Sequence, residues 1–246
     1  MNSTTDFQDW NRIASRYAES IEADGDRCYG DLKPVFWELL GDVRGLRVLD
    51  LGCGQGWLSG ELLRRGAAVQ GIDGSAALVA RARELFPDGR FSVHDLATGL
   101  PRLDERPESY DLVVSHMVVM DIPEIDRLFH DVGASLKPGG RFVLTLPHPC
   151  FFSHKSHTDA DGAWFKKVTG YLRERSWRID SFGGHTHYHR SLEFYVTHLV
   201  RSGLVVTRLH EPPHLAKSPR IPAEFARDFP VFIWIEASKL RPNSHP

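Results

Sequence analysis

The stretch LRVLDLGCGQGWLSGELL (46–63) decides the fold of this 246-residue chain. An apolar run ends in Asp50, and Gly52, Gly54 and Gly56 then stand at alternate positions before a helical pattern begins. A glycine-rich turn between a strand and a helix exposes backbone N–H groups and the positive end of the helix dipole. The stretch therefore predicts a site at the end of a buried strand where a ligand lies directly on the main chain.

Strand and helix patterns alternate outward from this stretch, after two predicted helices in the first 45 residues. Seven strands are predicted, at 47–52, 67–73, 90–96, 109–117, 141–146, 204–211 and 229–237. Strands that alternate with helices favour a doubly wound, parallel α/β sheet. Because a Pro-rich loop (211–224) rather than a helix joins the last two strands, we expect the sheet to end in an antiparallel hairpin.

The alternation breaks after the fifth strand, which predicts an insertion within one domain (1–246). Residues 147–190 hold six of the thirteen histidines and many aromatic residues without a helical period, and we interpret them as a β-ribbon lid. The predicted parts are a helical cap (1–44), a ligand-binding core (45–146), the lid (147–190) and a C-terminal helix with its hairpin (191–238).

Composition excludes several classes of function. Lys and Arg number 30 against 32 Asp and Glu, so no overall charge attracts the chain to nucleic acid or to a membrane surface. Three cysteines without a CxxC pattern predict neither a disulfide framework nor a cysteine metal site. Without an apolar run of spanning length or a signal-peptide pattern, we expect a soluble, cytoplasmic protein.

Asp73 and Trp57 narrow the ligand class. Asp73 ends the second strand about twenty residues beyond the glycines, where an acid holds ribose hydroxyls in such folds. The dinucleotide fingerprint GxGxxG needs its third glycine at the position of Trp57, and a bulky indole fits a pyrophosphate poorly. A ligand with a ribose but no pyrophosphate is therefore favoured over a nicotinamide cofactor.

The motifs together resemble those of class I S-adenosylmethionine-dependent methyltransferases. The matching segments cover roughly residues 45–146: VLDLGCGQG, GIDGS, VHDL, YDLVVS and LKPGGRFVLT. The resemblance implies a seven-stranded Rossmann-like methyltransferase fold with N-terminal helices, S-adenosyl-L-methionine as the cofactor and methyl transfer as the reaction.

The resemblance also implies roles for individual residues. On the methionine side it places Asp50 near the amino group, Ser115 beside the methionine part and Tyr17 at the carboxylate. On the adenosine side it places Asp73 at the ribose hydroxyls, Gly74 beside the adenosine, Asp95 at the adenine amino group and Leu96 beside the ring. Gly52, Gly54 and the backbone of Cys53 approach the cofactor directly.

Histidines at strand ends are the candidate bases for deprotonating a methyl acceptor. His148 follows the fifth strand and His116 the fourth, and ligands bind at these carboxyl ends in doubly wound sheets. His148 is the first choice, because a related small-molecule methyltransferase family shares HP-x-F after the fifth strand and YHR before the next helix. The alternative is that its imidazole only hydrogen-bonds to backbone.

The lid supplies further histidines at 154, 157, 185, 187 and 189. An extended HTHYH (185–189) places three imidazoles on one face, a set that suits zinc, copper or nickel. Because no carboxylate or cysteine accompanies them and an exposed polar face explains the alternation equally, we predict no metal.

The predicted function is methyl transfer to oxygen or nitrogen of a small molecule, with no nucleic-acid partner and no prediction of oligomeric state. The aromatic residues of the lid suggest an apolar acceptor pocket: Trp164, Phe165, Tyr171, Trp177, Phe182 and Tyr188. The alternative is an RNA or protein methyltransferase, for which the basic stretch KKVTGYLRERSWR (166–178) offers phosphate contacts. A nicotinamide oxidoreductase and a non-catalytic cofactor-binding module remain as other classes.

Overall fold

The computed structural model describes residues 6–24, 33–101, 108–152, 156–213 and 223–241. The helices are α1 (Asp6–Asp24), α2 (Lys33–Leu40), α3 (Trp57–Arg64), α4 (Ala76–Leu85), α5 (Asp126–Ser135), α6 (Leu192–Arg201) and α7 (Ala223–Asp228). The strands are β1 (Arg47–Leu51), β2 (Ala68–Asp73), β3 (Arg90–Val93), β4 (Tyr110–His116), β5 (Leu136–Pro147), β6 (Ser156–Thr158), β7 (Trp164–Lys166), β8 (Arg175–Ile179), β9 (His185–His189), β10 (Leu204–His210) and β11 (Phe232–Lys239).

Seven strands form one mixed sheet in the order β10-β11-β5-β4-β1-β2-β3. Strands β1 to β5 are mutually parallel, and β11 pairs antiparallel with both β5 and β10. The predicted α/β fold class, with its antiparallel last hairpin, is confirmed. Because the strand order reverses between β1 and β4, this architecture opens a crevice there at the carboxyl ends of the strands.

Apolar strand residues point alternately into two cores, one on each face of the sheet. In β4, Leu112 and Val114 pack with α2 and α3, whereas Val113 packs with α5 and α6 on the opposite face. All three are fully buried, and burial of such a side chain stabilises the fold by about 1.5–3 kcal/mol. Burial on both faces explains why the central strands read as continuous apolar runs.

Two antiparallel ribbons stand between β5 and α6, where the sequence predicted a β-ribbon lid. The first pairs β6 with β7, and the second pairs β8 with β9. The tight turn of the second ribbon meets α1, because Arg12 donates to the carbonyl oxygens of Gly183 and Gly184 at 2.9 and 2.8 Å. The division of the chain into cap, core, lid and hairpin stays a prediction.

Two local predictions need correction. The fifth strand, predicted at 141–146, begins five residues earlier and includes the segment KPGG, because Leu136 already pairs with Tyr110 and a register shift follows in β4. The predicted Pro-rich loop is followed by α7, which starts at Ala223, directly after Pro222. Buried Phe225 of α7 packs against Trp164 with 5.6 Å between the ring centroids.

Candidate functional site

A cavity of about 400 Å³ opens at the carboxyl ends of β1, β2 and β4. Gly52, Gly54 and Asp73 form one side of the cavity, and the turn of the lid forms the other. Its lining is completed by Trp10, Tyr17, Ile21, Gly74, Ser75, Leu78, Asp95, Leu96, His116, Met117, Val118, Met120, Asp121, Ile122, Pro123, Pro147, Phe152, Ile179, Ser181, Phe182, His185 and His187. The cavity therefore lies where the sequence predicted a ligand site, at the end of the strand that precedes the glycine turn.

The glycine turn needs left-handed backbone, since φ is +67° at Gly52, +53° at Gly54 and +84° at Gly56. Gly52 and Cys53 both donate their N–H groups to the Ile72 carbonyl, which ties the turn to β2. A Cβ at Gly52 would also overlap the side chain of Val118. At position 52, backbone strain and the lack of space therefore both disfavour any residue other than glycine.

Trp57, which argued against a pyrophosphate ligand, is the first residue of α3. Its indole packs at the edge of the core beside α2, with the Lys33 ammonium 5.3 Å from the ring centre. The side chain therefore fills space between two helices.

Asp73 connects the end of β2 to the glycine turn. Its Oδ2 accepts the Gly54 N–H at 2.9 Å, and its Oδ1 accepts the Ser75 N–H at 2.7 Å. Burial raises the pKa of this carboxyl, while the two backbone donors act in the opposite direction. A half-buried carboxylate that lines the cavity suits hydroxyl donors of a ligand.

Asp95 and Leu96 lie farther along the same side of the cavity. Asp95 Oδ1 accepts the Ala97 N–H at 2.9 Å and so caps the short 3-10 turn 96–98. Leu96 is buried in the core, and Gly74 lies between Asp73 and the cap of α4. Asp95 therefore caps its own turn and also lines the cavity. Its predicted contact with the adenine amino group is compatible with this capping role.

A small side compartment opens beside Gly52, lined by Asp50, Cys53, Gln55, Tyr17 and His116 among others. Asp50 accepts a hydrogen bond from the Ser59 hydroxyl at 2.6 Å. Burial raises the pKa of Asp50 to about 7, and nearby Asp73 adds to the shift. Gln55 Oε1 is buried and has no hydrogen-bond partner among the described residues. Two acceptors therefore face a space that fits the ammonium end of an amino acid.

Gln55 was missed by sequence reasoning. Its place between two glycines of the turn was its one available signal.

Replacement of Asp50 by asparagine is expected to stabilise the ligand-free protein at pH 8 by about 4 kcal/mol, with the gain vanishing below pH 4. The folded-state pKa of about 7 exceeds the ordinary 3.8, so the folded state binds the extra proton between these values. The free energy of unfolding of the native protein therefore falls as pH rises through this window, whereas that of the asparagine variant lacks the pH dependence that Asp50 causes. Urea unfolding across the pH range measures it, and a pH-independent difference would contradict the shift.

Tyr17 and Ser115 have different placements. Tyr17 lines both the main cavity and the side compartment, and its ring meets Phe182 of the lid edge-on at 5.2 Å. Ser115 is fully buried in β4 and is absent from the described cavity lining. Neighbouring side chains of a strand point to opposite faces, so His116 reaches the cavity and Ser115 does not.

His148 lies beside the cavity with its ring turned away, although Pro147 before it does line the cavity. The Cys150 N–H donates to Nδ1 at 3.0 Å, so the proton sits on Nε2, which contacts Glu211 Oε1 at 2.7 Å. Burial lowers the pKa of this imidazole, against the effect of Glu211. Both ring nitrogens are thus engaged, as in the backbone-bonding alternative.

His116 is the other predicted base, and it does line the cavity. Its Nδ1 lies 2.6 Å from the Thr145 hydroxyl, and its ring packs against Phe36. It also borders the side compartment beside Asp50. This position is at the glycine-turn end of the cavity rather than at its lid end.

The alternating histidines of β9 share one face, and that face is buried rather than exposed. His185 and His187 are 7% exposed and His189 is 3% exposed, while Thr186 and Tyr188 point the other way. His185 and His187 line the cavity, whereas His189 contacts the Tyr171 carbonyl at 2.8 Å. The explanation of the alternation by an exposed polar face is therefore wrong.

The other lid predictions have mixed outcomes. Of the six aromatic residues predicted for the pocket, Phe182 lines the described cavity, while Trp177 packs behind it against His187 at 4.7 Å. Phe152 lines the cavity without having been predicted. His157 pairs with Phe165 on the first ribbon, and His154 lies outside the described residues.

Comparisons with known proteins match the part of the chain that carries the glycine turn. Residues 48–140 match the methyltransferase domain family. A solved S-adenosylmethionine-dependent methyltransferase from Mesorhizobium loti is 29% identical, with a TM-score of 0.71 over 83% of this chain and 96% of that one.

Two curated enzymes match a shorter region. A ubiquinone biosynthesis O-methyltransferase from Bradyrhizobium is 36% identical over 42% of this chain and 40% of that enzyme. A trans-aconitate 2-methyltransferase from Variovorax paradoxus is 39% identical over 41% of this chain and 38% of that enzyme. The chain thus matches about two-fifths of the length of these two enzymes.

The site fits S-adenosyl-L-methionine, the cofactor that the domain match and the solved relative indicate. The unpartnered Gln55 oxygen and the Asp50 carboxyl suit its ammonium group, and Asp73 suits its ribose. Gly52 and Gly54 of the glycine turn carry no side chain, so a ligand can approach the main chain between these groups. No described helix is long and apolar enough to span a membrane.

Proposed function

Because the chain is a class I S-adenosylmethionine-dependent methyltransferase, we propose that it methylates an oxygen or nitrogen atom of a neutral small molecule. One observation carries the proposal: the cavity continues from the glycine turn into a mostly apolar chamber under the lid. Apolar cavities with a few polar groups are typical of small-molecule sites.

We assign the binding groups within this proposal by position. Asp73 accepts from the ribose hydroxyls, and Asp95 and Leu96 hold the adenine. Asp50 and Gln55 accept from the ammonium group. The bound cofactor supplies a methyl group on a positively charged sulfur, so the chain has to align the acceptor and exclude water, which contributes about 7–11 kcal/mol in well-oriented systems.

The charges of the chamber support a neutral acceptor over a polycarboxylate. Among the lining residues in the described ranges there is no lysine or arginine, and the charged ones are Asp73, Asp95 and Asp121. A tricarboxylate like the acceptor named for one relative would meet carboxylates without a compensating cation, which costs binding energy. A methyl-accepting oxygen on an uncharged, apolar molecule suits this lining.

Methyl labelling tests the proposal. Purified protein receives S-adenosylmethionine with an isotopic methyl group and an extract of the source cells, which is then separated into metabolites, nucleic acid and protein. We expect label in a metabolite of low charge, and a Gly52→Val variant, whose added side chain would overlap Val118, serves as the inactive control. Label confined to nucleic acid, protein or a polycarboxylate would contradict the proposal.

RNA or protein methylation is the second candidate, carried by the basic stretch predicted for phosphate contacts. Lys167, Arg173 and Arg175 of this stretch are exposed on the lid. Exposed cations on a lid can also be a simple solvated surface, so the location of the label decides between the two functions.

A further inference from the structure

We propose that His185 is the general base of the reaction, that Asp121 stabilises its protonated form, and that the acceptor is a neutral aromatic hydroxyl compound. The proposal rests on the proposed function and names its acceptor class and its proton acceptor. Sequence reasoning chose His148 and His116 for this role.

The two residues meet at the lid end of the cavity. His185 begins β9, and Asp121 ends the short 3-10 turn 119–121 that follows β4. His185 Nε2 lies 3.7 Å from Asp121 Oδ1, both side chains are 8% exposed, and both line the cavity. The separation exceeds a hydrogen bond but keeps the opposite charges close once the imidazole is protonated.

The surrounding charges leave His185 neutral and ready to accept a proton. Burial lowers the pKa of His185 and Arg178 of β8 lowers it further, whereas a hydrogen bond with the Ser181 backbone and the charge of Asp9 raise it. His187 on the same strand and Asp121 on the facing turn are further titratable groups near the ring. A proton taken up by His185 would therefore be stabilised by the Ser181 backbone and by the Asp9 and Asp121 carboxylates.

The other histidines of the site are less suitable. Burial lowers the pKa of His187 to about 4, and Trp177 packs on its ring. His116 contacts Thr145 and lies at the glycine-turn end beside Asp50. His148 has both nitrogens engaged and does not line the cavity. Among the histidines of the described lining, His185 is the one that lies at the lid end of the cavity with a carboxylate facing it.

Rings around this pair favour a flat acceptor. The Trp10 indole lies 4.8 Å from the His185 ring, and Phe152 and Phe182 also line the chamber. Aromatic walls bind an aromatic ring through stacked or edge-on contacts. A phenolic hydroxyl among them would reach a base and a carboxylate.

The step balances within these groups. The acceptor O–H bond breaks and its proton moves to His185 Nε2. The oxygen lone pair forms a bond to the methyl carbon, and the carbon–sulfur bond breaks with its electron pair kept by sulfur. The products are an aryl methyl ether, S-adenosylhomocysteine and an imidazolium next to the Asp121 carboxylate. The imidazolium then releases its proton to solvent.

Binding of para-nitrophenol tests the base without turnover, since the phenolate form absorbs visible light and the phenol form does not. The protein is first saturated with S-adenosylhomocysteine, with occupancy measured by calorimetry, and the probe is added at a pH where it is mostly protonated in solution. We expect a phenolate band with the native protein, its loss in His185→Asn and its reduction in Asp121→Asn. His189→Asn, a buried histidine on the same face outside the described lining, serves as the matched control and keeps the band.

The outcomes separate this inference from the proposed function. A band that survives in His185→Asn, or a saturated native protein that gives no band, would overturn the inference, while failure of S-adenosylhomocysteine to bind would overturn the proposed function itself. Once a phenol that the protein methylates has been identified, His185→Asn should lower kcat on it by about 100-fold or more with little change in cofactor affinity. An equal loss in His189→Asn would mean a structural role for the histidine face and would also overturn the inference.

Discussion

Replacement of Asp73 by alanine is expected to weaken binding of S-adenosylhomocysteine by about 10- to 100-fold, because a charged acceptor of ligand hydroxyls contributes about 1.5–3 kcal/mol. The carboxylate also holds the Gly54 and Ser75 N–H groups, so the variant loses both the ligand contact and the shape of the turn. Calorimetric titration of the variant with S-adenosylhomocysteine measures the effect.

The control for this prediction is Asp111→Ala. Asp111 also hydrogen-bonds to a backbone N–H, that of Arg47, but it lies at the opposite end of β4 from the cavity. We expect its removal to leave the affinity within about twofold, because its carboxylate pairs with Lys137 and does not line the described cavity. Equal affinities of native protein and Asp73→Ala would refute the assignment of Asp73 to the ligand.

The cofactor half of the site could be predicted because its determinants are local in sequence. The glycines, Asp50 and Asp73 stand within two strands and their turns, where chain direction fixes which groups meet. The alternation of side chains along a strand would have distinguished Ser115 from His116 in the sequence. It places His116 in the cavity and turns Ser115 away from it.

The acceptor half depends on contacts between distant segments, which patterns in one sequence do not reveal. His148 is at a strand end as expected, but the turn after it directs the ring to Glu211, 63 residues away. The spacing of HTHYH predicted a shared face, yet the burial of that face depends on how the second ribbon packs against α1 and the turn 119–121. The partner of His185 is therefore visible only in the fold.

Arg190 is expected to be the most important side chain for holding that turn in place. It is 4% exposed, and its guanidinium donates to the carbonyl oxygens of Val119, Ile122 and Pro123 at 3.2, 2.8 and 2.6 Å. The segment it holds carries Met120, Asp121, Ile122 and Pro123, all of which line the cavity. A planar group with several fixed donors can satisfy three carbonyls at once, which the single ammonium of lysine does less well.

Arg190→Met keeps an unbranched apolar stem and removes the donors of the guanidinium, and we expect it to lower the free energy of unfolding by about 3–5 kcal/mol, because buried carbonyls lose their partners. Arg190→Lys should fall between it and the native protein. Urea unfolding measures both, and Arg201→Met on the exposed side of α6 is the control, expected to stay within about 0.5 kcal/mol. If Arg190→Met were as stable as this control, the guanidinium would not be what holds the Asp121 turn against β9, and the placement of Asp121 beside His185 would need another cause.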